Sequence, residues 1–190
     1  STDAINGSQL YSVAVTLQDK LTRYYSVKSS NTAAGSNYAN DGATGTDSMA
    51  AGVSALAAGV NAVAIGTGSN AAGVNTMALG QQAQAVNNHD MAIGTNAVAA
   101  SGNTVLDNTY SATAIGRNAK ATGARAITVG NAANATGAWA TAGGYLANAN
   151  GANATVMGAL SNATGVMAVA VGSQVTANGG NAVAMGSQSN

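Results

Sequence analysis

Residues 61–73 read NAVAIGTGSNAAG, and the first six of them recur with small changes along most of the chain. A glycine closes each copy, and successive closing glycines lie 14 residues apart except for one interval of 22. The ten closing glycines are Gly52, Gly66, Gly80, Gly94, Gly116, Gly130, Gly144, Gly158, Gly172 and Gly186. A repeat this regular predicts a solenoid in which each period forms one coil and stacks on the next.

Each period divides into two short segments that alternate between two kinds of side chain. In the first segment, large Val63 and Ile65 alternate with alanines. In the second, Ser69 and Ala71 alternate with polar Asn70 and are expected to face inward. Alternation with period 2 is typical of half-buried strands. We therefore predict a mainly β fold, a parallel β-roll whose coils lie about 4.8 Å apart.

The glycines are expected to form the turns between the two segments. Most closing glycines are followed seven residues later by a second one, as Gly66 is by Gly73. Glycine adopts positive φ without a steric penalty, which suits a tight corner.

The two faces of the first segment determine how the chain associates. We expect the larger side chains, such as Val63 and Ile65, to fill the thin interior. The alanines would then form a flat apolar outer face, larger than soluble monomers usually leave exposed. This predicts an obligate homo-oligomer whose interface includes Ala64, Ala78, Ala92, Ala114, Ala170 and Ala184.

The composition fits thin stacked units better than a thick core. The 190 residues include no proline, cysteine or phenylalanine, and six basic residues balance six acidic ones. Without cysteine there is no disulfide framework and no thiolate metal site. Zero net charge gives no general attraction to nucleic acid. No apolar run approaches the roughly 20 residues that span a membrane, and no export signal is present, so we expect the anchor and signal of the parent protein to lie outside this sequence.

Residues 1–28 do not follow the period. Leu10, Ala14, Leu17, Leu21 and Tyr24 have the alternating spacing of four and three that marks a coiled-coil seam. We expect the first four of them in an interface between subunits; the alternative is an amphipathic helix packed on its own solenoid. Residues 29–46, rich in Gly, Asn and Ser, are expected to connect this segment to a head at 47–190 of about ten coils.

Two of these patterns together resemble one family. The stretch TDAINGSQLY at residues 2–11 is similar to the neck of trimeric autotransporter adhesins, and the NAVAIG repeats resemble their YadA-like head. The resemblance implies a homotrimer and a left-handed parallel β-roll. It also implies a passenger region on the surface of a Gram-negative bacterium, anchored in the outer membrane. A neck at this position further implies another head ahead of residue 1.

Three features depart from the repeat. The long interval carries eight extra residues, with 101–108 as the expected protrusion. Trp139, Gly143 and Tyr145 change the size pattern of one coil. Asp90 occupies a column otherwise held mainly by alanine.

The sequence offers little for catalysis. Gly66-Thr67-Gly68 superficially suggests a phosphate loop, but no helical pattern follows and the closing glycine recurs in every copy, so a turn is the better interpretation. His89 beside Asp90 falls short of the three protein ligands typical of catalytic zinc, although threefold-related copies could still meet an ion on the axis. We predict no catalytic residue, metal or cofactor.

Three basic residues, Arg117, Lys120 and Arg125, lie within one coil and its corner. Repeated around a threefold axis, they would form a positive belt able to attract an acidic ligand. The alternative is an ordinary solvated surface. Tyr110, Trp139 and Tyr145 are candidate binding anchors or fillers between subunits.

The predicted function is therefore a non-catalytic adhesion module. A rigid trimeric rod would bind host extracellular-matrix or cell-surface proteins or glycans through many weak contacts. The alternative is a structural spacer that projects a more distal adhesive head.

Overall fold

A computed structural model describes residues 6–20, 26–102 and 110–189. The chain forms two compact units, Ser1–Ser30 and Asn31–Asn190. The described residues of the first unit form one helix, α1 (Gly7–Lys20). Asn6 caps it, because the Asn6 Oδ1 accepts the backbone N–H of Gln9 while the Gln9 Oε1 accepts the backbone N–H of Asn6, both at 2.9 Å. This reciprocal pair is a capping box, which fixes where the helix begins.

The expected coiled-coil seam begins on this helix. Leu10 and Ala14 are both exposed on α1. The side chain of Leu17 and the whole of Leu21 and Tyr24 lie outside the described residues. Association through this seam stays a prediction.

The second unit is the predicted parallel β-solenoid, built from two sheets that face each other across each coil. Its strands alternate along the chain between a ten-stranded and a nine-stranded sheet. The ten-stranded sheet contains β1 (Met49–Ala51), β3 (Val63–Ile65), β5 (Met77–Leu79), β7 (Met91–Ile93), β9 (Thr113–Ile115), β11 (Ile127–Val129), β13 (Thr141–Gly143), β15 (Thr155–Met157), β17 (Val169–Ser173) and β19 (Val183–Ser187). The nine-stranded sheet contains β2 (Leu56–Ala57), β4 (Asn70–Ala71), β6 (Gln84–Ala85), β8 (Val98–Ala99), β10 (Lys120–Ala121), β12 (Asn134–Ala135), β14 (Asn148–Ala149), β16 (Asn162–Ala163) and β18 (Thr176–Ala177).

Every strand pairs in parallel with the equivalent strand of the next coil. Ala64 is the partner of Ala78, and Ala78 of Ala92. The register holds across the long interval, where Ala92 pairs with Ala114. The extra residues therefore do not shift the register of the strands on either side of them.

The assignment of faces in the ten-stranded sheet was wrong. The expected interface alanines Ala64, Ala78, Ala92, Ala114, Ala170 and Ala184 are buried inside the single chain, the first five with no exposed surface. Val63 and Ile65 point outward and are half-buried. The reason is the width of the coil: the largest side chains fully buried between the sheets are Val156 and Val175. The space inside a 14-residue coil therefore accommodates alanine, and most larger side chains lie on the outside.

In the nine-stranded sheet the predicted orientation is confirmed. Ser69 and Ala71 are buried and Asn70 is half-buried on the outside. The buried hydroxyl of Ser69 donates to the carbonyl oxygen of Gly66 at 2.9 Å. Thr76, which directly precedes β5 of the opposite sheet, likewise donates to the carbonyl oxygen of Gly73 at 2.6 Å. Ser69 and Thr76 are thus satisfied by the turns of their own coil, whereas the buried Ser101 Oγ has no hydrogen-bond partner among the described residues.

The start of the solenoid is closed by residues from the expected connector. The Asn37 side chain accepts the backbone N–H of Gly42 at 2.9 Å and donates to the carbonyl oxygens of Ala50 and Gly52 at 3.4 and 3.3 Å. Ala43 forms a parallel bridge with Ala57. This part of the 29–46 segment therefore packs on the first coil.

Candidate functional site

The outer face of the ten-stranded sheet is an apolar surface that nothing within the described residues covers. We call it the apolar face. It carries the outward side chains of all ten strands, and several are strongly exposed. These are Met49, Leu79, Ile127, Val129, Met157, Val183 and Met185. Soluble monomers seldom leave an apolar surface of this length in water, so the apolar face is a candidate interface between chains.

The outer face of the nine-stranded sheet is polar in its C-terminal half. Asn134 Nδ2 donates to Asn148 Oδ1, and Asn148 Nδ2 to Asn162 Oδ1, both at 3.0 Å. In the adjacent column, Thr136 Oγ1 donates to Asn150 Oδ1 at 2.8 Å. Amides stacked one coil apart can form such ladders along the sheet. The solenoid therefore has one apolar and one hydrogen-bonding side.

The three predicted basic residues occupy different parts of the coil. Arg117 directly follows a closing glycine in one turn, Lys120 lies in β10 on the outside, and Arg125 lies in the opposite turn. Arg117 and Lys120 are exposed, and Arg125 is half-buried. The two arginines thus lie at opposite edges of the β-roll, and a belt that joins them stays a prediction.

Arg125 is held by aromatic rings. Its guanidinium carbon lies 4.1 Å from the centre of the Trp139 ring and 5.5 Å from that of Tyr110. Such cation–π contacts favour a fixed arginine. Trp139 is still half exposed, as is Tyr145 in the turn on the opposite edge. The structure therefore brings two of the three candidate aromatic anchors together around one cation and leaves the third apart.

Asp90 is a buried residue whose carboxylate is hydrogen-bonded to the backbone. It is 1% exposed, and its carboxylate accepts backbone N–H groups from Asn87, Ser101 and Ala112 at 2.9, 3.2 and 2.7 Å. Ser101 is the first residue of the expected protrusion at 101–108, most of which lies outside the described residues, and Ala112 follows it. His89, its neighbour, adopts φ of 62° in the turn. The Asp90 carboxylate is thus occupied by backbone N–H groups, whereas the buried His89 Nε2 has no hydrogen-bond partner within the described residues.

The described residues contain no group of three or more histidine, cysteine, aspartate or glutamate side chains that could hold a metal ion. Among them, too, no helix has the length and apolar character needed to cross a bilayer. Gly66 and Gly68 belong to a turn between strands of three and two residues, with no helix after it. The phosphate-loop interpretation therefore lacks the helix N-terminus that it requires.

One surface feature was missed in the sequence. A depression of about 360 Å³ is lined by Gly68, Gln82, Gln84, Asn96 and Val98. We call it the Gly68 notch. From the sequence Gly68 looks incidental, because it has no counterpart in the other copies. The depression could have been predicted from the larger residues that the other copies carry at the equivalent position.

The family model described as the YadA head domain repeat matches residues 43–69, 71–97, 110–133 and 163–189. These segments together cover more than half of the chain.

The chain belongs to the YadA head family.

Heads of this family are trimeric, non-catalytic adhesin modules from autotransporter passengers of the outer membrane. The resemblance seen in the sequence is thus confirmed for the head repeats, whereas the neck and coiled coil stay predictions. A search of curated proteins gave no match.

Proposed function

We propose that this YadA head is a surface adhesion module whose three subunits meet through the apolar face. The observation that supports this assignment is the contrast between the two outer surfaces of the solenoid. The ten-stranded sheet presents exposed Ile127, Val129 and Met157, whereas the nine-stranded sheet presents hydrogen-bonded amides. Burial of the apolar face removes its large side chains from water, at about 25 cal/mol per Å².

The trimer interface can be tested with a charge on either side of the solenoid. Ile127→Asp combined with Val129→Asp places unpaired carboxylates in the proposed interface, where their desolvation opposes assembly. We expect sedimentation to show monomers at micromolar concentration. Asn150→Asp adds a carboxylate on the nine-stranded sheet and keeps the oxygen that Thr136 contacts, so this control should remain trimeric. A trimeric double variant would place the interface elsewhere.

In this proposal the trimer presents its nine-stranded sheets and turns to host matrix or cell-surface ligands. Each contact is weak, and threefold repetition raises the overall avidity. The outward Asn side chains of β12, β14 and β16, with the Thr side chains beside them, provide an accessible polar surface for such contacts.

The adhesive role is tested by exchange of the solenoid for a stalk of equal length. Cells that display the exchanged protein should lose binding to surfaces coated with collagen, fibronectin, laminin or cell-surface glycans. Equal stalk length keeps any distal head at the same distance from the cell. Unchanged binding would reject adhesion and leave the spacer function. The left-handed coil, the neck and the cell-surface location come to this chain from its family and remain part of the proposal.

A further inference from the structure

Gly68 occupies a backbone position that does not require glycine. Its φ is 67°, and the equivalent residues of neighbouring coils adopt nearly the same value: Ser54 (55°), Gln82 (55°), Asn96 (56°) and Asn118 (57°). A Cβ on Gly68 would meet only the Cγ of Gln82, at an ordinary 3.5 Å. Backbone geometry and packing therefore both allow a side chain. What glycine does here is leave a gap in a column of side chains.

The gap forms the Gly68 notch. Its walls are the side chains of Gln82, Gln84 and Asn96, and Val98 supplies an apolar part. Its volume of about 360 Å³ lies near the lower end for small-molecule pockets. Beside it, the Oδ1 of Asn70, paired in register with Gln84, is buried without a hydrogen-bond partner.

The lining is neutral and offers both donors and acceptors. Each carboxamide has an oxygen that accepts and an NH₂ group that donates. Asn96 Nδ2 donates to Asn118 Oδ1 at 3.3 Å, which orients the Asn96 side chain and leaves its oxygen available. The amides of Gln82 and Gln84 have no hydrogen-bond partner among the described residues. No charged residue lines the notch.

Such a lining matches vicinal hydroxyl groups, which also donate and accept, together with an apolar C–H face for Val98. An anionic group would find no cation in the lining itself, since Lys120 lies one strand beyond Val98, its partner in register. A large apolar group would leave the amides unpaired at a cost of about 1 to 3 kcal/mol each. We infer that the Gly68 notch binds one neutral sugar residue of a glycan. The inference deepens the proposed adhesive function and rests on it, since a shallow site of this kind needs threefold repetition to hold a glycan.

The notch can be filled without disturbance of the fold. Gly68→Asn introduces the residue that neighbouring coils already carry at this φ, and its side chain occupies the gap. Ala132→Asn is the matched control, because Ala132 has φ of 55° in the same column of turn residues but does not line the notch. Gln84→Leu removes one amide and keeps the approximate shape.

Binding is measured by biolayer interferometry on the purified chain with polymer conjugates of maltotriose, lactose, chitotriose and mannotriose, and with 3′-sialyllactose as the acidic counterpart. We expect at least one neutral conjugate to bind. Gly68→Asn should then weaken binding by about tenfold or more through occlusion, and Gln84→Leu by about fivefold through one lost hydrogen bond. Ala132→Asn should match the wild type.

Neutral-sugar binding that survives Gly68→Asn would overturn the proposal, as would a wild-type chain that binds only sialyllactose or none of the conjugates. A protein ligand lost in Gly68→Asn without any sugar binding would also overturn it and point to a peptide occupant. Binding to coated matrix proteins is measured in parallel. If it persists without sugar binding, the notch assignment fails while the adhesive function stands.

Discussion

Asp90 shows how a carboxylate can be buried in an interior made mainly of alanine. In a regular coil the N–H of Ala126 donates to the carbonyl oxygen of Gly123, three residues earlier. At the equivalent position after the long interval, the N–H of Ala112 donates to Asp90 Oδ1 at 2.7 Å. The other oxygen accepts the N–H groups of Asn87 and Ser101. The carboxylate therefore satisfies buried backbone N–H groups that lie before and after the long interval's undescribed residues.

Replacement of this carboxylate should destabilise the solenoid. Asp90→Ala leaves buried N–H groups unpaired, and we expect the free energy of unfolding in urea to fall by about 3 to 5 kcal/mol. Asp90→Asn keeps one acceptor oxygen and should lose less. The control is Asp47→Asn, an exposed turn position with φ of 55° where asparagine is equally suited. A loss below about 0.5 kcal/mol for Asp90→Ala, typical of surface sites, would show that water satisfies these groups.

Glycines serve the coil in two different ways. Closing glycines such as Gly66 have φ of 124°, a conformation that side chains disfavour. A Cβ on Gly66 would also approach the carbonyl oxygen of Gly80 to 2.6 Å, and one on the second-turn glycine Gly137, which has no positive φ, would overlap the carbonyl oxygen of Gly151. The sequence predicted both as turn residues with positive φ. The spacing of glycines along the chain reveals neither the φ of each glycine nor the distance between neighbouring coils, so it could not distinguish the two kinds of glycine.

Gly137→Ala tests the close-approach role. Because the clash is with backbone, we expect the coil to shift and the chain to lose about 1 to 3 kcal/mol of stability, measured by urea denaturation. Gly179→Ala lies at the equivalent position of the last coil, where a Cβ would meet only the Cβ of Ala182 at 3.6 Å. That variant should be nearly neutral. Equal losses of stability in the two variants would mean that the replacement of glycine as such, and not a clash with the next coil, is responsible.

At the level of the strands, the sequence predicted the alternation of side chains, but it did not predict which side of the ten-stranded sheet faces the interior. Period 2 predicted the strands because alternation follows from the pleat, the 14-residue repeat predicted their register, and the polar Asn70 indicated that Ser69 and Ala71 face inward. Which column of the ten-stranded sheet lies inside depends on the width of the coil, and a short coil excludes Val63 and Ile65 from its interior. A signal was present in the sequence: the alanine column changes little between coils, whereas the other column accepts Val, Met, Thr and Gly.

The corrected faces predict unequal tolerance at adjacent residues. Ala92→Leu forces a larger side chain between the sheets and should lower stability by about 1 to 3 kcal/mol or more. Met91→Leu changes a half-buried side chain on the apolar face and should cost less than about 1.5 kcal/mol. Thermal denaturation followed by circular dichroism compares the two variants. Greater loss in Met91→Leu would contradict the orientation of β7.

For the whole molecule, charge is too sparse to direct binding unless a trimer repeats it. The chain has six basic and six acidic residues, so any positive field must come from local groups. Arg117 and Lys120 are exposed near β10, whereas Arg125 is stacked against Trp139. Proximity in sequence suggested a single cluster of three. Because a coil sends consecutive turns to opposite edges, only the first two lie on one side, and they are the stronger candidates for an acidic ligand.

This division predicts how heparin, used as an acidic probe, should bind to the purified chain. Arg117→Gln combined with Lys120→Gln should weaken binding at low salt and reduce its dependence on ionic strength, because exposed charges are screened over about 10 Å at 0.1 M salt. Arg125→Gln should have a smaller effect on binding. Lys28→Gln removes an exposed charge from the other compact unit and serves as the control. Equal losses in all three variants would mean that heparin senses only net charge, and the positive belt would then have no specific role.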